Sequence, residues 1–201
     1  MSWRGHYRGV RVKHLSNVFG ARRYNGAFTL IELLVVIAII IVLAGLILST
    51  MGYVQKKGAR SRAETEIAAM SAACESYKAD NGIYPRDATT TDTLDARAAI
   101  DMAKYQAASQ YLYGQLSGNT NYDRSTVSQK SYFSFKSNML DPADQTQSVQ
   151  DIRDPFGNSY GYSTIQAATG DSTKGYNPTF DLWSTAGQTS GSDSTQWIKN
   201  W

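Results

Sequence analysis

Glu32 is the one charged residue in an apolar run from Phe28 to Leu48, FTLIELLVVIAIIIVLAGLIL. A lone carboxylate in that setting has to be accounted for. Unpaired at mid-bilayer, an ionised side chain costs on the order of 2.5–3.5 kcal/mol on insertion scales, and less near a helix end. In low dielectric an opposite charge offsets that desolvation, so the spacing points to a cationic partner for Glu32. A carboxylate that snorkels to the interface is the simpler alternative.

The other chemistry-bearing residues do not assemble into a catalytic set. His6 and His14 both precede the apolar run, so the rest of the chain has no histidine for a general base or a common zinc site. Cys74 is the single cysteine, which rules out an intramolecular disulfide and reads as a small buried hydrophobe on a helix face. No glycine-rich phosphate loop precedes a lysine. Asp151 and Asp154 read as turn residues. The expectation is a protein without enzymatic activity.

The elements that must position Glu32 follow from the run itself. A helix rises about 1.5 Å per residue, and roughly 20 apolar residues cross the hydrocarbon of a bilayer. A secretory signal peptide would end in a small-residue cleavage site, which Leu46-Ile47-Leu48-Ser49-Thr50-Met51 does not supply. Ahead of the run, Met1 to Gly26 carries Arg4, Arg8, Arg11, Lys13, Arg22 and Arg23 with no acid. Basic residues beside a span are retained on the cytoplasmic side, which places the C-terminal portion across the membrane; Lys56, Lys57, Arg60 and Arg62 on the other flank pull against that orientation. A net charge of +3 over 201 residues gives no reason to expect nucleic-acid binding.

Beyond the span, Ala63, Ile67, Met70, Cys74 and Tyr77 recur at spacings of four and three, the stripe of an amphipathic helix continuing from the membrane segment. Gly45, Gly52 and Gly58 are expected bending or melting points. Asn81-Gly82 followed by Pro85 is a helix stop. After a polar linker at Thr89–Thr93, Leu94, Ala98, Met102, Tyr105, Ser109, Leu112 and Leu116 predict a second helix near 94–117, with Gly118 as its stop. Asn119–Lys130 reads as an exposed polar loop, and Tyr132, Phe133 and Phe135 as a short strand or a loop anchor. Ser159–Ile165 and Thr179–Thr185 are strand candidates, the first led by the turn-formers Asp154-Pro155-Phe156-Gly157-Asn158. The fold class expected is α+β: one long N-terminal helix packed on a small antiparallel sheet. Its divisions are a leader at 1–27, a transmembrane helix at 28–52, an amphipathic continuation at 53–82 and a globular head at 83–201.

Gly26-Ala27-Phe28-Thr29-Leu30-Ile31-Glu32-Leu33-Leu34 resembles the processing site of the type IV pilin and type II secretion pseudopilin superfamily. The resemblance implies that a prepilin peptidase removes the basic leader on the cytoplasmic side and that the new N-terminal amine is methylated. A cut after Ala27 makes Phe28 the methylated first residue and Glu32 the fifth, the usual family positions; a cut after Gly26 makes Ala27 first and Glu32 sixth. It also supplies the partner for Glu32, the N-terminal amine of a neighbouring subunit in a filament. Asp80-Asn81-Gly82-Ile83-Tyr84-Pro85 is similar to the family's passage into its head domain.

Within the superfamily, Asp154-Pro155-Phe156-Gly157-Asn158-Ser159-Tyr160, Phe180-Asp181-Leu182-Trp183-Ser184 and the closing Ile198-Lys199-Asn200-Trp201 resemble the major pseudopilins. That implies a homopolymeric periplasmic filament driving protein export. Its implied partners are minor pseudopilins, the prepilin peptidase and methyltransferase, an inner-membrane assembly platform and a secretion ATPase. The implied location is a single pass through the inner membrane with a periplasmic head. Major pseudopilins also bind calcium in the loop after this strand, which would make Thr185, Gln188 and Asp193 the Ca2+ ligands here, against an ordinary Gly/Ser turn without metal. Two other readings are a surface type IV pilin for adhesion, motility or DNA uptake, and a signal-anchored binding protein that never polymerises.

Overall fold

A computed structural model describes residues 28–124 and 127–201. Its first element, α1, runs Leu30–Asn81 over 52 residues. The helix assignment is unbroken through Gly45, Gly52 and Gly58, so a propensity cost of about 1 kcal/mol at each does not melt it. The stop is the expected one. Gly82 takes the left-handed conformation at φ 79° and its N–H closes on Lys78 O at 2.8 Å.

Contacts divide the chain between Ile47 and Leu48 into two units. In the first, the described residues are the apolar start of α1, with Leu30, Ile31, Leu33, Leu34 and Val35 all exposed. The second unit is an α+β head. In it the C-terminal part of α1 contributes Ala63, Ile67, Met70 and Cys74, all buried, to a core shared with Leu112 and Leu116 of helix α2 (Met102–Ser117) and with Tyr160, Tyr162, Leu182 and Ile198. The predicted stripe is therefore the packing face.

Five short strands in two sheets frame that core. β1 (Leu140–Asp141) pairs antiparallel with β2 (Asp151–Ile152). A three-stranded antiparallel sheet has the order β3 (Gly161–Ser163), β4 (Asp181–Ser184), β5 (Ile198–Lys199), with Tyr162 opposite Leu182 and Ser184 opposite Ile198. A five-residue helix, α3 (Ile165–Thr169), follows β3. Side chains alternate across a strand, so neighbours in β4 serve different cores. Leu182 enters the main core, whereas Trp183 enters a second one with Leu94, Ala96, Tyr105, Ala108 and Trp197. Gly161 lies opposite Trp183, and a Cβ there would come within 2.1 Å of the indole.

Several sequence expectations need correction. The second helix begins at Met102, not near 94, because Asp101 caps it by accepting from Lys104 N at 3.2 Å. Leu94 and Ala96 are drawn instead into the second core, and Asp95 accepts from Arg97 N and Gly175 N, which holds the segment in turns. The stretch after Gly118 is exposed at 127–130 as expected but anchored ahead of that, where Asn119 is buried, Tyr122 packs on the main core and Val149 N donates to Tyr122 O. Of the two readings of Tyr132 and Phe133 the loop anchor holds: their N–H groups both bond Leu116 O at the end of α2. Asp151 is a buried strand residue whose Oδ2 accepts from Ser159, not a turn residue.

Candidate functional site

Glu32 sits in the first turn of α1, and the chain itself supplies its donors. Its Oε2 accepts from Thr29 N at 2.8 Å and from Thr29 Oγ1 at 2.7 Å, while Glu32 N donates to Thr29 Oγ1 at 3.2 Å. This is a reciprocal capping box, T-x-x-E, which satisfies orphan N–H groups at a helix start. The pattern is legible in Thr29-Leu30-Ile31-Glu32 but is hidden by reading Glu32 only as a charge in hydrocarbon. Carboxylate and hydroxyl thus lie at the N-terminal end of the helix, where the macrodipole also favours negative charge. Phe28, next to the cap, is exposed. Gly26 and Ala27, the other residues of the expected cleavage site, lie outside the described residues, as do the leader at 1–27 and both histidines.

From Phe28 to Leu43 the large apolar side chains are exposed on every side of the helix. A soluble surface does not carry such an area, so lipid or neighbouring helices must cover it. Among the described residues one helix, α1, is long and apolar enough to cross a membrane.

The head presents a second candidate in the loop after β4. Thr185 Oγ1 donates to Gln188 O at 2.6 Å, and Asn158 Nδ2 donates to both Thr185 Oγ1 and Gln188 O at 3.0 Å. Gln188 Oε1 accepts from the indole N–H of Trp197 at 2.7 Å. The structure therefore brings Thr185 and Gln188 together. Asp193 is exposed, and its carboxylate accepts from Thr195 N. Asp154, one turn before Asn158, accepts from Phe156 N, Asn158 N and Ser184 Oγ, and burial pushes its carboxyl above the ordinary aspartate range. Calcium prefers six to eight oxygens directed at one centre. Here an N–H donor faces both Thr185 Oγ1 and Gln188 O, and no cluster of three acids, histidines or cysteines occurs among the described residues.

The profile of a family described as a prokaryotic N-terminal methylation motif matches residues 22–48, a stretch that includes Gly26, Ala27, Phe28 and Glu32. The type II secretion system core protein G of Aeromonas hydrophila is 37% identical over 75 residues, 37% of this chain and 50% of that protein. The protein of the same name from Vibrio cholerae is 35% identical over 74 residues, 37% of this chain and 49% of that protein. That of Pectobacterium carotovorum is 37% identical over 70 residues, 34% of this chain and 45% of that protein. The chain spans about half the length of the curated relatives it matches. No solved structure matches it.

A long helix with an apolar start carries the methylation motif around its first turn and leads into an α+β head. Over about a third of its length the chain is similar to proteins named type II secretion system core protein G.

Proposed function

We propose that this chain is a structural subunit of a type II secretion pseudopilus. The observation that carries the reading is the placement of Glu32: a carboxylate at the first turn of an apolar helix exposed on all sides, inside a methylation motif. The leader is cut before Phe28 by a prepilin peptidase and the new amine is methylated. Before assembly the apolar half of α1 lies in the inner membrane, with the N-terminus cytoplasmic and the head periplasmic. On assembly the apolar helices of successive copies bury one another at about 25 cal/mol per Å² of apolar surface, and Glu32 meets the methylated ammonium of a neighbour. Minor pseudopilins, an inner-membrane assembly platform and a secretion ATPase are the partners that this role requires.

The test is intact mass with N-terminal fragmentation of membrane-extracted protein, from cells with and without the prepilin peptidase. The expected product is a peptidase-dependent chain beginning at methylated Phe28. An uncut chain that keeps Met1–Ala27 in the presence of the peptidase overturns the reading.

A further inference from the structure

Two segments far apart in sequence meet at the end of the three-stranded sheet. The turn at Asp154–Asn158 clasps the end of β4 and the loop after it: Ser184 Oγ donates to Asp154 Oδ2 at 2.5 Å, and Asn158 Nδ2 bridges Thr185 Oγ1 and Gln188 O. The orientation of the Asn158 amide follows from its partners. Gln188 O is a carbonyl and can only accept, so the nitrogen of the amide must face it. Thr185 Oγ1 spends its proton on Gln188 O and accepts from Asn158, and Gln188 Oε1 is occupied by Trp197 Nε1.

We propose that this clasp closes the C-terminal loop without a metal ion, with the Asn158 amide standing where a divalent cation would otherwise gather the loop oxygens. An amide N–H pair and a cation place the same demand on the loop, since each needs oxygen lone pairs converging on one point. The two cannot be there together. The donor set is correspondingly poor in charge: Thr185 and Gln188 offer neutral oxygens, Asp193 accepts from Thr195 N, and the Asp154 carboxylate already accepts from three donors.

The electrostatics on the open side of the loop point the same way. Ala186, Gly187 and Gln188 form one wall of a cleft of about 770 Å³ whose other wall carries Lys56, Lys57 and Arg60. Arg60 is held by Gln196 O at 3.0 Å and by Glu64 at 3.5 Å, while Lys56 and Lys57 make no ion pair among the described residues. A dication bound to the loop would face the unpaired Lys56 and Lys57 with Asp193 as the loop's one carboxylate, whereas a neutral amide meets no such opposition.

The inference is independent of the assembly role and is tested on the full-length protein in detergent. Thermal unfolding is followed in millimolar CaCl2 and in EGTA, and Tb3+ is titrated as a calcium probe with emission sensitised through Trp197, which touches Gln188. The expected result is the same melting midpoint in both conditions and no sensitised Tb3+ emission. Asn158→Ala is expected to lower the midpoint equally with calcium and with chelator. A wild-type midpoint that falls on chelation overturns the proposal, as does Tb3+ emission that calcium competes away, or an Asn158→Ala midpoint equal to wild type. If Asn158→Ala does not fold, the wild-type chelation and Tb3+ measurements decide the matter by themselves.

Discussion

Thr29 and Glu32 close the start of α1 on each other, with three hydrogen bonds of 2.7–3.2 Å between two residues a single turn apart. The residue proposed to pair with a neighbour in the filament is thus also the residue that caps its own helix. Thr29→Ala is expected to cost about 1 kcal/mol at that end. Amide exchange of Leu30–Leu33 in micelles should quicken by about fivefold, with the head unchanged. Glu32→Ala, which removes the charge as well as the cap, is expected to leave membrane insertion intact and to abolish filaments, read by electron microscopy of overexpressing cells.

Gly161 is required by the indole beside it. A Cβ at 161 would lie 2.1 Å from Trp183 Cε2, and Trp183 has nowhere to go, stacked on Trp197 at 5.9 Å and edge-on to Tyr105 at 5.3 Å. Gly161→Ala is expected to destabilise the head by at least the roughly 1–3 kcal/mol typical of overpacking. Urea unfolding followed by tryptophan fluorescence measures it.

Ser109 of α2 stands in for a missing strand partner of β2. Its hydroxyl accepts from Ile152 N at 2.7 Å and donates to Ile152 O at 3.2 Å, all buried. Ile152 O keeps a second partner in Tyr160 N, but Ile152 N–H does not. Ser109→Ala therefore leaves one buried donor unsatisfied, at an expected cost of about 1–3 kcal/mol in the same unfolding measurement.

Cys74 is fully buried in the main core, and burial pushes its thiol far above the ordinary range. The thiolate is the reactive form. The native head should be inert to a thiol reagent such as DTNB at neutral pH and should release one equivalent of thionitrobenzoate on unfolding in guanidinium.

Asp154 carries a pH signature with a definite sign. Burial raises its carboxyl in the folded head, so between the unfolded and folded values the folded state holds a proton that the unfolded chain has released. Stability from this group is greatest at low pH and falls as pH rises through that window, then levels off. The unfolding free energy of wild type minus that of Asp154→Asn should follow the same decline and be flat at neutral pH.

Much of the fold was legible because it is written in local periodicity. The apolar run, the stripe Ala63-Ile67-Met70-Cys74 and the Asn81-Gly82 stop predicted α1 almost to its ends. The two best strand candidates contain β3 and β4, which pair as expected. Periodicity misled at Leu94: its spacing to Ala98 and Met102 imitates a helix, yet what fixes Leu94 is a tryptophan core assembled from β4 and the segment before β5. The T-x-x-E capping box was present in the sequence and needed no fold to be seen.

Sequence by itself determined the membrane-length helix, the lone carboxylate near its start and the α+β class, since each depends on residues within a few turns of one another. Only the tertiary structure decided how the C-terminal loop is closed. Asn158 and Gln188 are 30 residues apart, and nothing local in either segment tells whether their oxygens will meet a metal ion or an amide. The amide contact itself follows from the sheet register, which carries the Asp154–Asn158 turn onto the end of β4.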